Sequence, residues 1–344
     1  MARAGVFSDC KSNENVRSLS QIHRMKFHMS TIIRYLVLLW TLFGVGIAYS
    51  AEKKVLLVVS KSSEMYLEIV NVVESQLIQQ YKGDVTIQKV NVPEMEDGQD
   101  HKAYQDMDLV ISIGTKAARI VAKWKSTRPR FFIFVPKSSL TKILSESPDS
   151  DNKNSYGIYL DQPFSRELSL TKILLSGVKS AGVLLGSITQ AEKSEIIKLG
   201  KRVGFDLEFA KVSDETNNYA SSRSLIDRSD VILTLPDPVA LSPQRAKWLL
   251  YQSYQNKVPI ISFSQSFVKA GALAAVYSTP KQIGWQAGEV AIRIMNNPGG
   301  GQRFFYPSYF DVAVNRTVAH SLGLDIADED SLVKSIQRLE HVYN

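Results

Sequence analysis

Residues 108–119 read DLVISIGTKAAR. An apolar run ends on Gly114, Thr115, Lys116 and Ala117, and these types together can do chemistry. A glycine lets backbone approach a ligand closely. The unpaired amides at the start of a helix, with its positive dipole end, favour an anion. The group therefore suits a carboxylate or a phosphate, or else it is a tight turn with Thr115 as the helix cap. A second group is Pro236-Asp237-Pro238. Two prolines fix the backbone around a carboxylate, which either accepts hydrogen bonds from a ligand amine or turns the chain before Ser242-Pro243. On the first reading, Asp237→Ala should cost at least tenfold in affinity and leave folding intact.

Other candidates cluster at the same kind of place. Lys61, Lys116 and Lys137 all follow apolar runs and would either attract an acidic ligand or form a solvated rim. Tyr159, Phe263 and Phe267 would stack on a flat ligand or belong to the core. Catalytic arrangements are not apparent. His101, His320 and His341 are scattered, without metal-ligand spacing. There is no nucleophile elbow, P-loop or dinucleotide fingerprint, and carboxylates are not grouped in apolar contexts. No cofactor is implied.

The elements that must position these residues alternate. Strands are expected at 54–60, 85–90, 108–113 and 130–135, with helices at 64–81 and 115–125. The same grammar repeats after residue 155. Strands are expected at 156–160, 181–185, 205–212, 230–235, 258–263 and 271–277, and helices at 162–175, 190–203, 242–256 and 280–295. A last extended segment at 304–315 and a short helix at 318–322 follow. The strands are continuous apolar runs rather than alternating ones, so both of their faces must be covered, as in a parallel sheet between helices. DLVISIGT at 108 resembles DVILTLPD at 230, and RFFIFVPKSS at 130 resembles VPIISFSQSF at 258. The order matches, so one half reads as a weak copy of the other.

The fold class is thus α/β, with two Rossmann-like lobes. The expected division gives 51–156 plus about 276–300 to the first lobe. The second takes 157–275 plus about 301–325, and 326–344 is a tail helix. In open parallel sheets ligands bind at the carboxyl ends of the strands. The loops there are rich in serine, threonine and glycine. They add Ser60, Ser62, Pro136 and Ser138 in the first lobe, and Ser187, Pro236 and Ser264 in the second.

The net charge of the chain is +7, but residues 1–50 carry +4 of it and no Lys/Arg stripe for nucleic acid is present. Lys26 and Arg34 precede an apolar run from Tyr35 to Ile47, and Ala48-Tyr49-Ser50 offers small residues before a cut at Ala51. This is the pattern of a secretory leader, shorter than the ~20 residues a spanning helix needs, with translation starting at Met25 or Met29. An uncleaved anchor is the alternative. The only cysteine, Cys10, lies upstream of that run, so the exported part has no disulfide and no thiol ligand or nucleophile.

The stretches LPDPVALS, VPIISFSQSFVKAGALAAVYSTPKQIGWQAGEVAIRIM and FDVAVNRTVAHSLGL resemble the substrate-binding proteins of ABC transporters, related to tryptophan- and tyrosine-type periplasmic receptors. VKAGALA followed by a QIG-x-QA helix is the most specific part. VISIGTKAA resembles the family's strand–Gly-Thr–Ala-Ala turn, and the likeness spans about residues 53–325. It implies the type I periplasmic-binding fold: two lobes, three crossings and a ligand closed between them. It further implies that Gly114, Thr115 and Ala117 face a ligand carboxylate and that Asp237 lies near the ligand's amino group. Two departures are plain. Val135-Pro136-Lys137 stands where the family commonly has Asp-Pro, and Asp237-Pro238 where it usually has Asp-Asn. The stretch Tyr159-Leu160-Asp161-Gln162 looks like that of a divergent branch.

The expected protein is a periplasmic, monomeric solute receptor. It binds an amino acid or related carboxylate at Thr115, Lys137 and Asp237, and closes to present a new surface to an ABC permease. A ligand-sensing subunit for a membrane receptor or kinase is the alternative, and an exported enzyme using the same cleft a third.

Overall fold

The computed structural model describes residues 52–92, 105–125, 127–148, 153–213 and 219–343. The leader, Cys10, the cut before Ala51 and His101 lie outside them, as does the side chain of His341.

The first lobe opens with β1 (Lys53–Val59), α1 (Glu64–Gln80), β2 (Val85–Asn91) and β3 (Leu109–Ile113). It continues with α2 (Thr115–Ala122), β4 (Arg130–Val135), α3 (Lys137–Ser145) and β5 (Ser155–Tyr159). The second lobe takes α4 (Phe164–Leu174), β6 (Ser180–Leu185), a 3₁₀ turn at Thr189–Glu192, α5 (Lys193–Val203) and β7 (Asp206–Lys211). Then come α6 (Ala220–Asp227), β8 (Val231–Thr234), α7 (Pro243–Asn256), β9 (Ile260–Ser262), α8 (Gln265–Ala270) and β10 (Ala274–Tyr277). The chain returns to the first lobe for α9 (Pro280–Asn296) and β11 (Phe304–Phe305). It ends in the second with β12 (Asp311–Val314), α10 (Arg316–Ser321) and α11 (Glu329–Tyr343).

The first sheet runs β11-β5-β4-β3-β1-β2 and the second β12-β10-β9-β8-β6-β7. All pairings are parallel except β10 with β12. The two orders superimpose, and β3 and β8 hold the same place, as do β4 and β9. This is where the internal sequence likeness falls. The continuous apolar runs are buried on both faces: every residue of β3 and β8 is buried. In the first lobe one face packs under α1 and α9, the other under α2 and α3. Burying each large aliphatic side chain contributes roughly 1.5–3 kcal/mol, so these strands anchor the loops at their ends.

The boundaries differ from the sequence expectation in two places. Residues 155–159 pair with β4 and so complete the first sheet rather than opening the second lobe. The single extended segment expected at 304–315 is two strands in opposite sheets. Phe304–Phe305 pairs with Gly157–Ile158, and Asp311–Val314 lies antiparallel to Ala274–Tyr277. Pro307, between them, has no amide hydrogen with which to continue a ladder. The chain therefore crosses between lobes after β5, after β10 and after β11.

Candidate ligand-binding site

A cavity of about 420 Å³ opens between the lobes, at the carboxyl ends of strands from both sheets. The first lobe and its crossings contribute Lys137, Asp161, Gln162, Phe305 and Tyr306. The second lobe contributes Arg166, Glu167, Thr189, Glu192, Glu195, Pro236 and Phe263. Pockets of this size suit small ligands.

Lys137 opens α3 and reaches across. Its ammonium donates to the Tyr306 hydroxyl at 2.8 Å and pairs with Glu195 of α5 at 2.8 Å. Burial works against its charge, but the hydrogen bonds to Glu195 and Tyr306 outweigh that, and its pKa lies above the ordinary lysine value. Glu195 is more than half exposed, so this bridge contributes at most about 1 kcal/mol. It marks where the lobes meet.

Asp161 begins the first crossing and accepts a hydrogen bond from the Lys137 amide. It is partly covered by protein, and it lines the cavity. Desolvation raises its pKa from 3.8 to about 7, opposed by the Lys137 amide and reinforced by the charge of Glu192. Glu192 is also raised, by burial first. Glu167 of α4 is 2 % exposed, and burial followed by the charge of Asp161 pushes its pKa well up.

A pH dependence follows. Between pH 3.8 and about 7 the folded protein holds a proton on Asp161 that the unfolded chain has released, so stability falls as pH rises through that window. Glu167 and Glu192 act in the same direction. Ligand-free protein should melt lower at about pH 7.5 than at about pH 5, and Asp161→Asn should shrink the difference. Thermal melts at the two pH values check this, and an undiminished difference removes Asp161 from the account.

The residues singled out in the sequence divide. Lys137, Asp161, Pro236 and Phe263 line the cavity. The Gly114 group does not. Ser60 is buried, and its Oγ accepts from the Ala117 amide at 2.9 Å, capping α2 from another loop. Gly114 has φ 89°, and a Cβ there would stand 2.7 Å from Ser60 Oγ and from the ring and hydroxyl of Tyr66. The glycine is thus required by protein packing. Tyr66 lies over it, held edge-on by Phe134 with ring centroids 5.3 Å apart. Thr115 is half-buried, and Lys116 and Ser62 are exposed. Pro136 and Ser138 are half-buried beside Lys137. Tyr159 packs on Phe304 and Tyr306 at 6.2 and 5.2 Å. Ser187 is exposed, Ser264 caps α8 by accepting from the Phe267 amide, and Phe267 packs on Phe263.

Asp237 lies apart from the cavity lining. It is 2 % exposed, and its oxygens accept four hydrogen bonds from its own lobe. The donors are the Thr189 amide and hydroxyl and the Val239 and Ala240 amides, at 2.8–3.0 Å. It fixes the β6 and β8 loops rather than meeting the cavity.

The sequence also hid a charged group inside α4. Arg166 and Glu167 are charged, yet every residue from Phe164 to Thr171 is buried. Carboxylates are therefore grouped in an apolar context, contrary to expectation. The helix is covered by the third crossing and by α11, neither near it in sequence.

Residues 100–338 match the family model for ABC transporter substrate binding protein. The chain belongs to that family of substrate-binding proteins. A curated relative, the tyrosine-binding protein of Clostridioides difficile strain R20291, is 23% identical over 200 residues, 56% of each chain. The chain thus matches about half the length of that relative. Among solved structures, an ABC domain in complex with L-Trp from Streptococcus pneumonia is 19% identical with a TM-score of 0.56, covering 83% of this chain and 98% of the other. The ligand-free, open form of a substrate-binding protein with adhesive properties from Clostridium difficile is 17% identical with a TM-score of 0.61, covering 80% and 96%. At these identities the likeness is one of fold: two α/β lobes of the type I periplasmic-binding kind. No helix among the described residues is long and apolar enough to cross a membrane.

Proposed function

We propose that this protein captures a small, amino-acid-like molecule between its lobes, outside the cytoplasm, and delivers it to the permease of an ABC importer. The observation that carries this reading is the cavity of about 420 Å³ at the joined carboxyl ends of both sheets, in a chain of this family. The tyrosine and L-Trp in the names of its relatives put amino acids first among ligands to test. The cleft works by closure. Groups from the two lobes are brought together by the ligand, so the closed form is the one it stabilises, and that form presents the surface a permease can recognise. The leader at 25–50 would direct export, and the mature chain would begin at Ala51 and act as a monomer without catalysis.

A thermal-shift screen of residues 51–344 tests this. A ligand at about 100 times its Kd adds about 2.7 kcal/mol of stability, a clear rise in melting temperature. Small-angle scattering with the same ligand should show a more compact particle. No shift with any small molecule, and none released on denaturation, would defeat the reading.

A further inference from the structure

We propose that the cavity recognises an organic cation, an ammonium or guanidinium group seated among Asp161, Glu167 and Glu192, rather than a carboxylate. This rests on the solute-capture reading and narrows it.

The charge balance around the cavity is the starting point. Its cationic residues are Lys137 and Arg166. Lys137 is bonded to Glu195 and Arg166 to Glu340, so both positive groups already have acidic partners. Three further carboxylates line the same space with no cation in bonding contact: Asp161, Glu167 and Glu192, of which Asp161 and Glu192 feel the charge of Lys137 at longer range. Asp161 receives one backbone amide. The Oε2 of Glu167 is buried without a hydrogen-bond partner. Leaving a buried carboxylate oxygen unmatched is unfavourable, and a donor supplied by a ligand would remove that penalty. A protonated base supplies both the donors and the charge, and in a low-dielectric space the attraction is strong.

Other occupants fit less well. Among the described residues no cluster of acidic or histidine side chains has the spacing to hold a metal ion. An anion would meet three acidic side chains, and the two cations of the cavity are already paired. The helix end expected to receive one, at Gly114, is covered by Tyr66, and its Ala117 amide is already bonded to Ser60. Phe263 and Phe305 give the non-ionic part of the ligand an apolar wall. Binding of a cation would also lower the pKa of the carboxylates and release protons near neutral pH.

Calorimetry on protein freed of bound ligand by unfolding and refolding decides the matter. The probes are tyramine, agmatine and lysine, with N-acetyltyramine as the uncharged counterpart, and tryptophan, glutamate and galactose for comparison. At least one amine should bind, and N-acetyltyramine should not. Glu167→Gln should weaken amine binding at least tenfold without lowering the melting temperature of the ligand-free protein. Glu192→Gln should weaken it several-fold in the same folded background. Tight binding of glutamate or galactose without the amines would overturn the cation proposal and keep the receptor. So would amine binding that neither variant changes. No binding by any probe, together with no ligand in the denatured extract of the native protein, would overturn both.

Discussion

Asp237→Ala should destabilise the ligand-free protein by about 3–5 kcal/mol, lowering its melting temperature by roughly 6–10 °C. The carboxylate is buried and has no basic side chain within bonding distance, but amide and hydroxyl donors surround it. Oδ2 accepts from the Thr189 amide and hydroxyl, and Oδ1 from the amides of Val239 and Ala240. Alanine leaves three backbone amides unpartnered in the interior and takes the acceptor from the Thr189 hydroxyl, which still receives the Gly186 amide, and each orphaned donor costs about 1–3 kcal/mol before relaxation. Asp237→Asn keeps one oxygen and sets an amide group against the donors at the other, so it should lose a large part of the same stability. The space is equally restricted. A Cβ at Gly186 would lie 2.1 Å from Asp237 Oδ1, so Gly186→Ala should unfold at a similarly reduced temperature. Urea unfolding of the three variants without ligand checks this. Wild-type stability in Asp237→Ala, with affinity lost, would instead favour the ligand-amine role that the sequence suggested.

The case of Asp237 shows which kind of information the sequence carried. Strands such as VLLVV and LVISI are legible because burial on two faces demands apolar residues at every position, a local rule. The two sheets, their matching order and the cleft at their carboxyl ends follow from that. Gly114 and Asp237 were legible as constrained positions. What was not legible was the source of the constraint, since Tyr66 comes from α1 and Thr189 from the 3₁₀ turn, and both reach these residues only in the folded chain. A glycine required by a neighbouring tyrosine and one required by a ligand look the same in sequence. The α4 charges were hidden for a related reason. Arg166 and Glu167 are charged residue types, and such side chains are solvated unless a distant segment covers and pairs them. Here residues 302–308 and α11 do so, more than 130 positions away. Lys137 was singled out because strand-end loops are the place to look in this fold, and the structure puts it on the cavity wall.

Arg166→Ala should cost about 3–5 kcal/mol and loosen the hinge and α11 together. The guanidinium is almost fully enclosed, with 7% of its side chain exposed. It donates to Glu340 Oε1 at 2.6 Å and Oε2 at 3.3 Å, to Gln162 Oε1 at 2.6 Å and to the Pro307 carbonyl at 2.7 Å. It also lies 4.0 Å above the Phe310 ring. One side chain therefore joins the first crossing, the third crossing and the C-terminal helix. Its removal leaves a carboxylate, an amide oxygen and a carbonyl without partners at the point where the lobes must pivot. Much of the cost is the stranded Glu340 rather than the worth of the pair. The Arg166→Met, Glu340→Leu double variant should accordingly be more stable than the sum of the single changes predicts. Hydrogen exchange gives the second readout. Amides of residues 329–340 should exchange faster in Arg166→Ala, while those of β1 and β3, far from the contact, should be slowed or hastened only as far as global stability changes. Arg166→Lys should not restore the wild type, because a lysine cannot span two carboxylate oxygens and a carbonyl in one plane. If exchange in α11 were unchanged while the protein unfolded earlier, the helix would be held by Leu332 and Ile336 in the core alone, and Arg166 would tie only the two crossings.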